Sequence, residues 1–177
     1  AGEVIGVSKE VKNFKVGDLV ACGGKGAFHA DVIAVSENLA VKVPKNISLK
    51  FACFATIASI AMQGIRQSNI KLGESCIVIG MGLIGQLTYK LIEAAGGFPI
   101  GIDISTKQVN FVKNLGFKNV FERKSKELIN FVNLKSDGNG VDIVIITAAT
   151  SSLDPVNFAG EVARKKGKIV VVGAVPT

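Results

Sequence analysis

Residues Gly80, Met81, Gly82, Leu83, Ile84 and Gly85 form a G-x-G-x-x-G run, and a carboxylate, Asp103, follows about 20 residues beyond the first glycine. In this spacing each residue has a job if the ligand is a dinucleotide. Gly80 permits a tight strand-to-helix turn. Gly82 has no side chain, so a pyrophosphate can approach the backbone. Gly85 lets the helix lie close to the strand. The helix N-terminus then offers free N–H groups and a partial positive charge to the phosphates. A carboxylate at the tip of the second strand can accept both hydroxyls of an adenosine ribose, and it leaves no donor for a 2′-phosphate. The expected cofactor is therefore NAD, although Ser105 and Lys107 lie just beyond the acid. Two plainer readings compete with this one. The glycines could serve packing alone, and Asp103 could cap the helix that begins near Thr106.

The motif has chemical meaning only if the right elements hold it. Residues 76–79 are a short apolar run, as a fully buried strand requires. Leu83, Ile84, Leu87, Leu91 and Ile92 recur three or four apart, which is helical spacing, and Gly96-Gly97 stops them. A second apolar strand, residues 98–102, runs into Asp103 and Ile104. The alternation continues. Ser105 caps a helix over residues 106–115, and residues 119–121 form a third strand. A helix over 125–134 turns Leu128, Ile129 and Val132 inward. A fourth strand spans 141–147, then a helix over 155–164 with Asp154 as its cap and Pro155 at its first position. A fifth strand covers 168–173. Strands alternating with helices in this way predict an α/β fold: a Rossmann-type doubly wound parallel sheet in the order 3-2-1-4-5.

The first 50 residues differ. Residues 1–7, 19–22, 27–35 and 39–43 read as short strands separated by turns, without crossover helices. A helix is expected over 48–61, capped by Ser48 and extended to residue 68. The expected division is thus a β segment over 1–50 and a dinucleotide-binding domain over 51–177.

Composition narrows the class. The 177 residues are 48% hydrophobic and 6% aromatic, with no Trp. A core of Val, Ile, Leu and Ala suits a parallel sheet covered on both faces. No apolar run is long enough to span a membrane, and no export signal is visible. The net charge of +7 comes from scattered lysines and the clusters Arg123-Lys124 and Arg164-Lys165-Lys166, with no interleaved aromatics to stack bases. A solubilising surface, not nucleic-acid binding, is expected. Cys22, Cys53 and Cys76 show no C-x-x-C spacing, which fits a reducing cytoplasm.

Val16-Gly17-Asp18-Leu19-Val20-Ala21, Val43-Pro44, Gln63-Gly64, the run from Gly80 to Gly85 and Asp103 together resemble the medium-chain dehydrogenase/reductase superfamily, which holds zinc alcohol and polyol dehydrogenases and quinone reductases. The resemblance runs across the chain. Residues 145–150 and 165–173 are similar to a subgroup of zinc-type dehydrogenases of bacterial polysaccharide gene clusters, often fused to a second oxidoreductase domain. It implies that residues 1–50 are part of a chaperonin-10-like β domain, and that both this domain and the sheet would continue beyond the present chain. It also implies that Thr147 and Ala148 pass beside the cofactor and that Val172, Gly173 and Ala174 lie under the nicotinamide.

The resemblance does not carry over a catalytic metal site. Where zinc members place a cysteine, this chain has Ile57; Cys53 is four residues earlier, and His29, beside Asp31 in an expected strand, is the only histidine. No metal is expected, and the catalytic residues are not identifiable. The implied function is an NAD(H)-dependent oxidoreductase acting on an alcohol, polyol or sugar, as a homo-oligomer or with a fused second domain. The alternatives are a dinucleotide-binding module without turnover and a metal-free quinone reductase using NADPH.

Overall fold

The computed structural model describes residues 1–176, which divide into two compact units, residues 1–59 and residues 60–176. The first unit is built on three short antiparallel strands: β1 (Gly2–Glu3), β2 (Leu19–Cys22) and β3 (Ala40–Lys42), in the order β1-β2-β3. Gly2 pairs with Val20, and Val20 with Lys42. The strand expected over residues 27–35 does not form; the segment is a series of bends. Its apolar residues find no ladder partner, and Phe28 stays 69% exposed. The expected helix over 48–61 is broken. Ser48 caps α1 (Leu49–Ala52), accepting from the Lys50 N–H, and a new helix, α2, covers Ala55–Ser68.

In the second unit, β4 (Ser75–Ile79), β5 (Phe98–Asp103), β6 (Val120–Glu122), β7 (Val141–Ile146) and β8 (Ala163–Val171) form one parallel sheet in the order β6-β5-β4-β7-β8. This is the expected 3-2-1-4-5 order. The intervening helices are α3 (Leu83–Ala94), α4 (Thr106–Asn114), α5 (Lys126–Ser136) and α6 (Asp154–Val162).

The side-chain period of a strand sorts this core into two layers. Cys76 and Val78 of β4, with Ile143 and Ile145 of β7, meet Tyr89, Ile92, Val109 and Val112 of α3 and α4 on one face. Ile77 and Ile79, with Val144 and Ile146, meet Leu128, Val132, Phe158 and Ala159 of α5 and α6 on the other. Both layers are mainly aliphatic, with Tyr89 and Phe117 in one and Phe158 in the other, and burial pushes the Cys76 thiol well above its ordinary range. At about 25 cal/mol per Å² of apolar surface, these layers are the main stabilising term.

Three local expectations are corrected. Ile129 points to solvent at 43% exposure, because α5 meets the sheet along the face that carries Leu128, Phe131 and Val132. Asp154 lies inside α6 and does not cap it; Leu153 takes the cap position. Helix α6 also ends at Val162, and β8 starts immediately at Ala163, five residues before the expected strand. Ala163 is already extended and pairs with Val141. The ladder slips between Val141 and Ile143, and Lys166, at φ +64°, absorbs the slip. The basic run Arg164-Lys165-Lys166 is therefore strand, not helix surface. Among the described residues no helix is long and apolar enough to cross a membrane.

Candidate functional site

The strands β4, β5 and β6 run outward in one direction from β4, while β7 and β8 run in the other. The order therefore reverses between β4 and β7, the place where open α/β sheets leave a crevice at the C-terminal ends of the strands. A cleft of about 370 Å³ lies there, lined by Gly80, Gly82, Asp103, Ile104, Thr147 and Ala148, with Arg123 and Asp154 among the rest.

The glycine turn is fixed from every side. Gly80 has φ +99°, and a Cβ on it would stand 2.8 Å from the Ala148 amide nitrogen. The Gly80 N–H donates to Ile102 O at 2.7 Å, and the Thr147 hydroxyl donates to Gly80 O at 2.7 Å. Met81 is buried, packed on Gly101, where any Cβ would strike its sulfur. Its N–H donates to Asp103 Oδ2 at 2.8 Å, and its carbonyl accepts from the Gln86 and Gln108 side-chain amides at 3.0 and 2.6 Å. Gly85 sits under the turn, and a Cβ there would run into the Gly80 carbonyl.

Gly82 is the exception to this crowding. A Cβ on it would meet nothing within 4 Å. It is the N-cap residue of α3, and no side chain caps that helix. By contrast, Ser48, Ser105 and Ser125 cap α1, α4 and α5 through their hydroxyls. Helix α6 also lacks a side-chain cap, but it opens with Asp154 and Pro155, which supply a negative charge and remove one donor. Helix α3 therefore presents unsatisfied N–H groups, its positive dipole end and an open glycine to the cleft, an arrangement that fits an anionic group such as a pyrophosphate.

Asp103 is the last residue of β5. Its Oδ1 accepts from the Ser105 N–H at 2.9 Å, and Oδ2 from Met81. The helix cap is Ser105, which accepts from the Gln108 N–H, so Asp103 is not a cap for α4. Each carboxylate oxygen keeps a further lone pair toward the cleft, enough for ribose hydroxyls. Ile104, next along, is 80% exposed and forms an apolar wall.

The remaining sequence-selected residues fall around the cleft. Thr147 and Ala148 both donate backbone N–H groups to Ile79 O, and Val172 and Gly173 both donate to Ile146 O, so these strand ends are laced side by side. Gly173 abuts Ala148, whose carbonyl a Cβ would hit. Val172 packs toward Gly64 of α2 and does not reach the cleft. Leu83 and Ile84 form the first turn of α3, outside the cleft lining.

The charged lining residues Arg123 and Asp154 were not selected from the sequence as site residues. Arg123 follows β6, and its Nε and Nη2 donate to the two carboxylate oxygens of Asp154 at 3.1 and 3.0 Å. Its guanidinium lies 3.6 Å from the centre of the Phe158 ring. The sequence places Arg123 one residue past a strand at the same sheet edge as Asp103, and that position is the signal that distinguishes it from an ordinary surface arginine.

No group of three or more His, Cys, Asp or Glu that could hold a metal ion occurs among the described residues. Cys53 is exposed at the end of α1, its thiol 3.0 Å from Lys50 O. His29 is exposed in a bend, not in the expected strand.

Comparison with known proteins places this geometry in context. The profile of a family described as zinc-binding dehydrogenase matches residues 84–177. The chain is 27% identical over 168 residues to (R,R)-butanediol dehydrogenase of Bacillus subtilis, covering 81% of this chain and 48% of that one. It is 32% identical over 121 residues to D-xylulose reductase A of Aspergillus oryzae, covering 66% of this chain and 34% of the other. In fold it is similar to a zinc-binding dehydrogenase from Sinorhizobium meliloti solved with NADP, with TM-score 0.80 at 18% identity over 99% of this chain and 60% of that one. The chain spans about half the length of curated relatives such as the butanediol dehydrogenase.

Proposed function

The chain belongs to the zinc-binding dehydrogenase family of the medium-chain dehydrogenase/reductase superfamily, and from that premise we propose that it is the cofactor-binding part of an NAD(H)-dependent oxidoreductase acting on alcohols, polyols or sugars. The observation that carries this reading is the uncapped start of α3 at Gly82, open to a cleft whose other end is the Asp103 carboxylate. In this reading the first-turn N–H groups of α3 bind the pyrophosphate. Asp103, held by the Met81 and Ser105 N–H groups, receives the adenosine ribose hydroxyls. Ile104 and the strand ends at Thr147 and Ala148 exclude water from the adenosine side, and Val172 and Gly173 support the tip of β8. When bound, the nicotinamide supplies the hydride chemistry; the chain supplies orientation and electrostatics. The substrate class rests on the butanediol and xylulose enzymes to which the chain is similar.

We further assign residues 1–50 to a chaperonin-10-like β segment and 51–177 to the cofactor domain. No metal is assigned to these residues, and metal analysis of the dialysed chain is expected to find substoichiometric zinc. Three free cysteines suit a reducing compartment, and we place the protein in the cytoplasm.

Calorimetric titration with NADH tests the central claim. Saturable one-to-one binding that is lost when a bulky residue replaces Gly82 is the expected result. Failure of wild-type protein to bind NADH or NADPH would overturn the reading. Binding without turnover across a panel of alcohols, polyols, sugars and quinones by the intact protein would favour a non-catalytic dinucleotide-binding module.

A further inference from the structure

The cleft is lined by three ionisable side chains: Asp103, Asp154 and Arg123. Two carboxylates face one guanidinium, so the lining carries a net negative charge although the protein as a whole is strongly basic. The single cation stands next to the position that chooses between ribose and ribose phosphate. The Arg123 N–H donates to Asp103 O at 2.8 Å, and Glu122, the residue before it, pairs with Asp103 in the β5–β6 ladder. The two strand tips are thus one inter-strand spacing apart, about 4.8 Å. An arginine so placed has the reach and the forked donors to clasp a 2′-phosphate.

The side chain does not point that way. Both its Nε and one Nη2 donor are engaged by Asp154, and its planar group lies over the Phe158 ring. The arginine side chain is only 16% exposed, while Asp154 is 44% exposed. The bidentate pair fixes the guanidinium on the helix side of the cleft and cancels its charge at close range.

We propose that Asp154 is a positioning residue that sets cofactor choice, holding Arg123 on Phe158 and thereby withholding it from the 2′-phosphate of NADP(H). Asp103 repels that phosphate directly. Asp154 acts through Arg123, by denying the phosphate a partner and by adding a second carboxylate to the lining. Without Asp154 the guanidinium is free to rotate about its flexible stem toward the tip of β5, where a doubly charged phosphate would draw it. This inference rests on the dinucleotide reading of the cleft.

The test is titration of the full chain with NADH and NADPH at one ionic strength, in the wild type and in Asp154→Ala, Asp154→Asn and Asp154→Glu. The ratio of NADPH to NADH affinity should rise at least fivefold in Asp154→Ala and by a smaller factor in Asp154→Asn, which can still accept one of the two bonds. Asp154→Glu should keep the wild-type ratio, because it can still hold the arginine. Adding Arg123→Gln to Asp154→Ala should abolish the gain. A purely structural role for Asp154 would weaken both cofactors alike and leave the ratio in place, and that result would overturn the proposal. A gain that survives Arg123→Gln would overturn it too. If the wild type binds neither cofactor, the dinucleotide reading falls along with it. If the wild type binds NADH and the ratio does not move, only the role of Asp154 falls.

Discussion

Residues 60–176 and residues 1–59 contain similar apolar amino acids and use them differently. In the second unit the inner strands β4, β5 and β7 are buried by their neighbours and by helices supplied from adjacent sequence, so Ile77, Ile100, Ile102, Ile143 and Ile145 are nearly inaccessible, while the edge strand β8 leaves Ile169 and Val171 exposed. In the first unit the buried hydrophobic residues are Val20, Ala21 and Ala52, while Ile5, Phe28, Val32 and Phe51 are mostly exposed. A βαβ repeat carries the cover for each strand within about 30 residues of sequence. Short antiparallel strands linked by turns carry no such cover. The same hydrophobicity therefore yields a continuous core in one unit and a thin one in the other.

Truncating the core in each unit is the harshest way to break that contrast. Ile77→Ala removes a fully buried side chain from the core and should cost about 2–5 kcal/mol. Phe28→Ala removes a larger side chain that is mostly in water, and should stay within about 0.5 kcal/mol. Urea unfolding followed by circular dichroism measures both. Equal losses would mean that Phe28 is anchored in a way the first unit does not reveal.

The glycines sharpen the same comparison at somewhat smaller cost. Gly85→Ala forces a methyl group into the Gly80 carbonyl, and because the obstacle is backbone, the loss should be near 3 kcal/mol. A Cβ on Gly6 would meet nothing within 4 Å, and its φ is not positive. Gly6→Ala should therefore be neutral or stabilise by up to about 1 kcal/mol through the unfolded chain. Thermal midpoints of the two variants give the answer, and a destabilised Gly6→Ala would show that the first unit is packed more tightly there than its open surroundings suggest.

At the opposite edge of the sheet from the cleft, Asp142 ties β4, β7 and β8 together. Burial raises its pKa, but the Arg164 Nε bond at 2.7 Å and the Ser75 N–H and hydroxyl bonds, both 2.8 Å, outweigh burial and hold it below the usual carboxylate value. A depressed folded-state pKa stabilises the fold above the unfolded value, about 3.9, and that contribution is lost as pH falls through the folded value. Asp142→Asn should lose about 1–3 kcal/mol at neutral pH and flatten the stability profile below pH 4. A variant whose acid transition matches the wild type would remove Asp142 from this role.

The parts of the molecule legible in the sequence are those specified locally. The parallel sheet, its order, the Ser48 and Ser105 caps and the turn at Gly80 follow from patterns within one or two elements. What was missed depends on distant partners. The strand expected over 27–35 had good composition and no neighbour to pair with, and Gly26 instead lies where a Cβ would touch Ala34 O. The end of α6 was misjudged because Arg164 is drawn into β8 by Asp142, 22 residues earlier. The Arg123–Asp154 pair, 31 residues apart, has no sequence periodicity to betray it. Asp103 was selected for its ribose-facing role, yet its bonds to Met81 and Ser105 give it a second task inside the fold.

That second task alters how Asp103 must be tested. A carboxylate beside the adenosine ribose should favour NADH over NADPH, since the 2′-phosphate adds nearly two negative charges at the same point. At about 4 Å each unit of repulsion costs roughly 1 kcal/mol in water and roughly 4 at the effective dielectric of a protein surface, so a preference of at least tenfold, about 1.4 kcal/mol, is expected. Replacing Asp103 removes that repulsion, but it also releases the Met81 N–H and loosens the turn that both cofactors need. Asp103→Gly should therefore weaken NADH by more than tenfold, while NADPH loses less or gains. Asp103→Asn is a harder case, because its amide can accept from Met81 but turns a donor toward the Ser105 N–H. The ratio of the two affinities cancels the common loss and isolates the charge. It should move at least tenfold toward NADPH in Asp103→Gly and shrink as salt is added, since part of the repulsion is screened. Measured by fluorescence titration at two ionic strengths, an unchanged ratio with both affinities reduced would leave Asp103 as a brace for the glycine turn and nothing more.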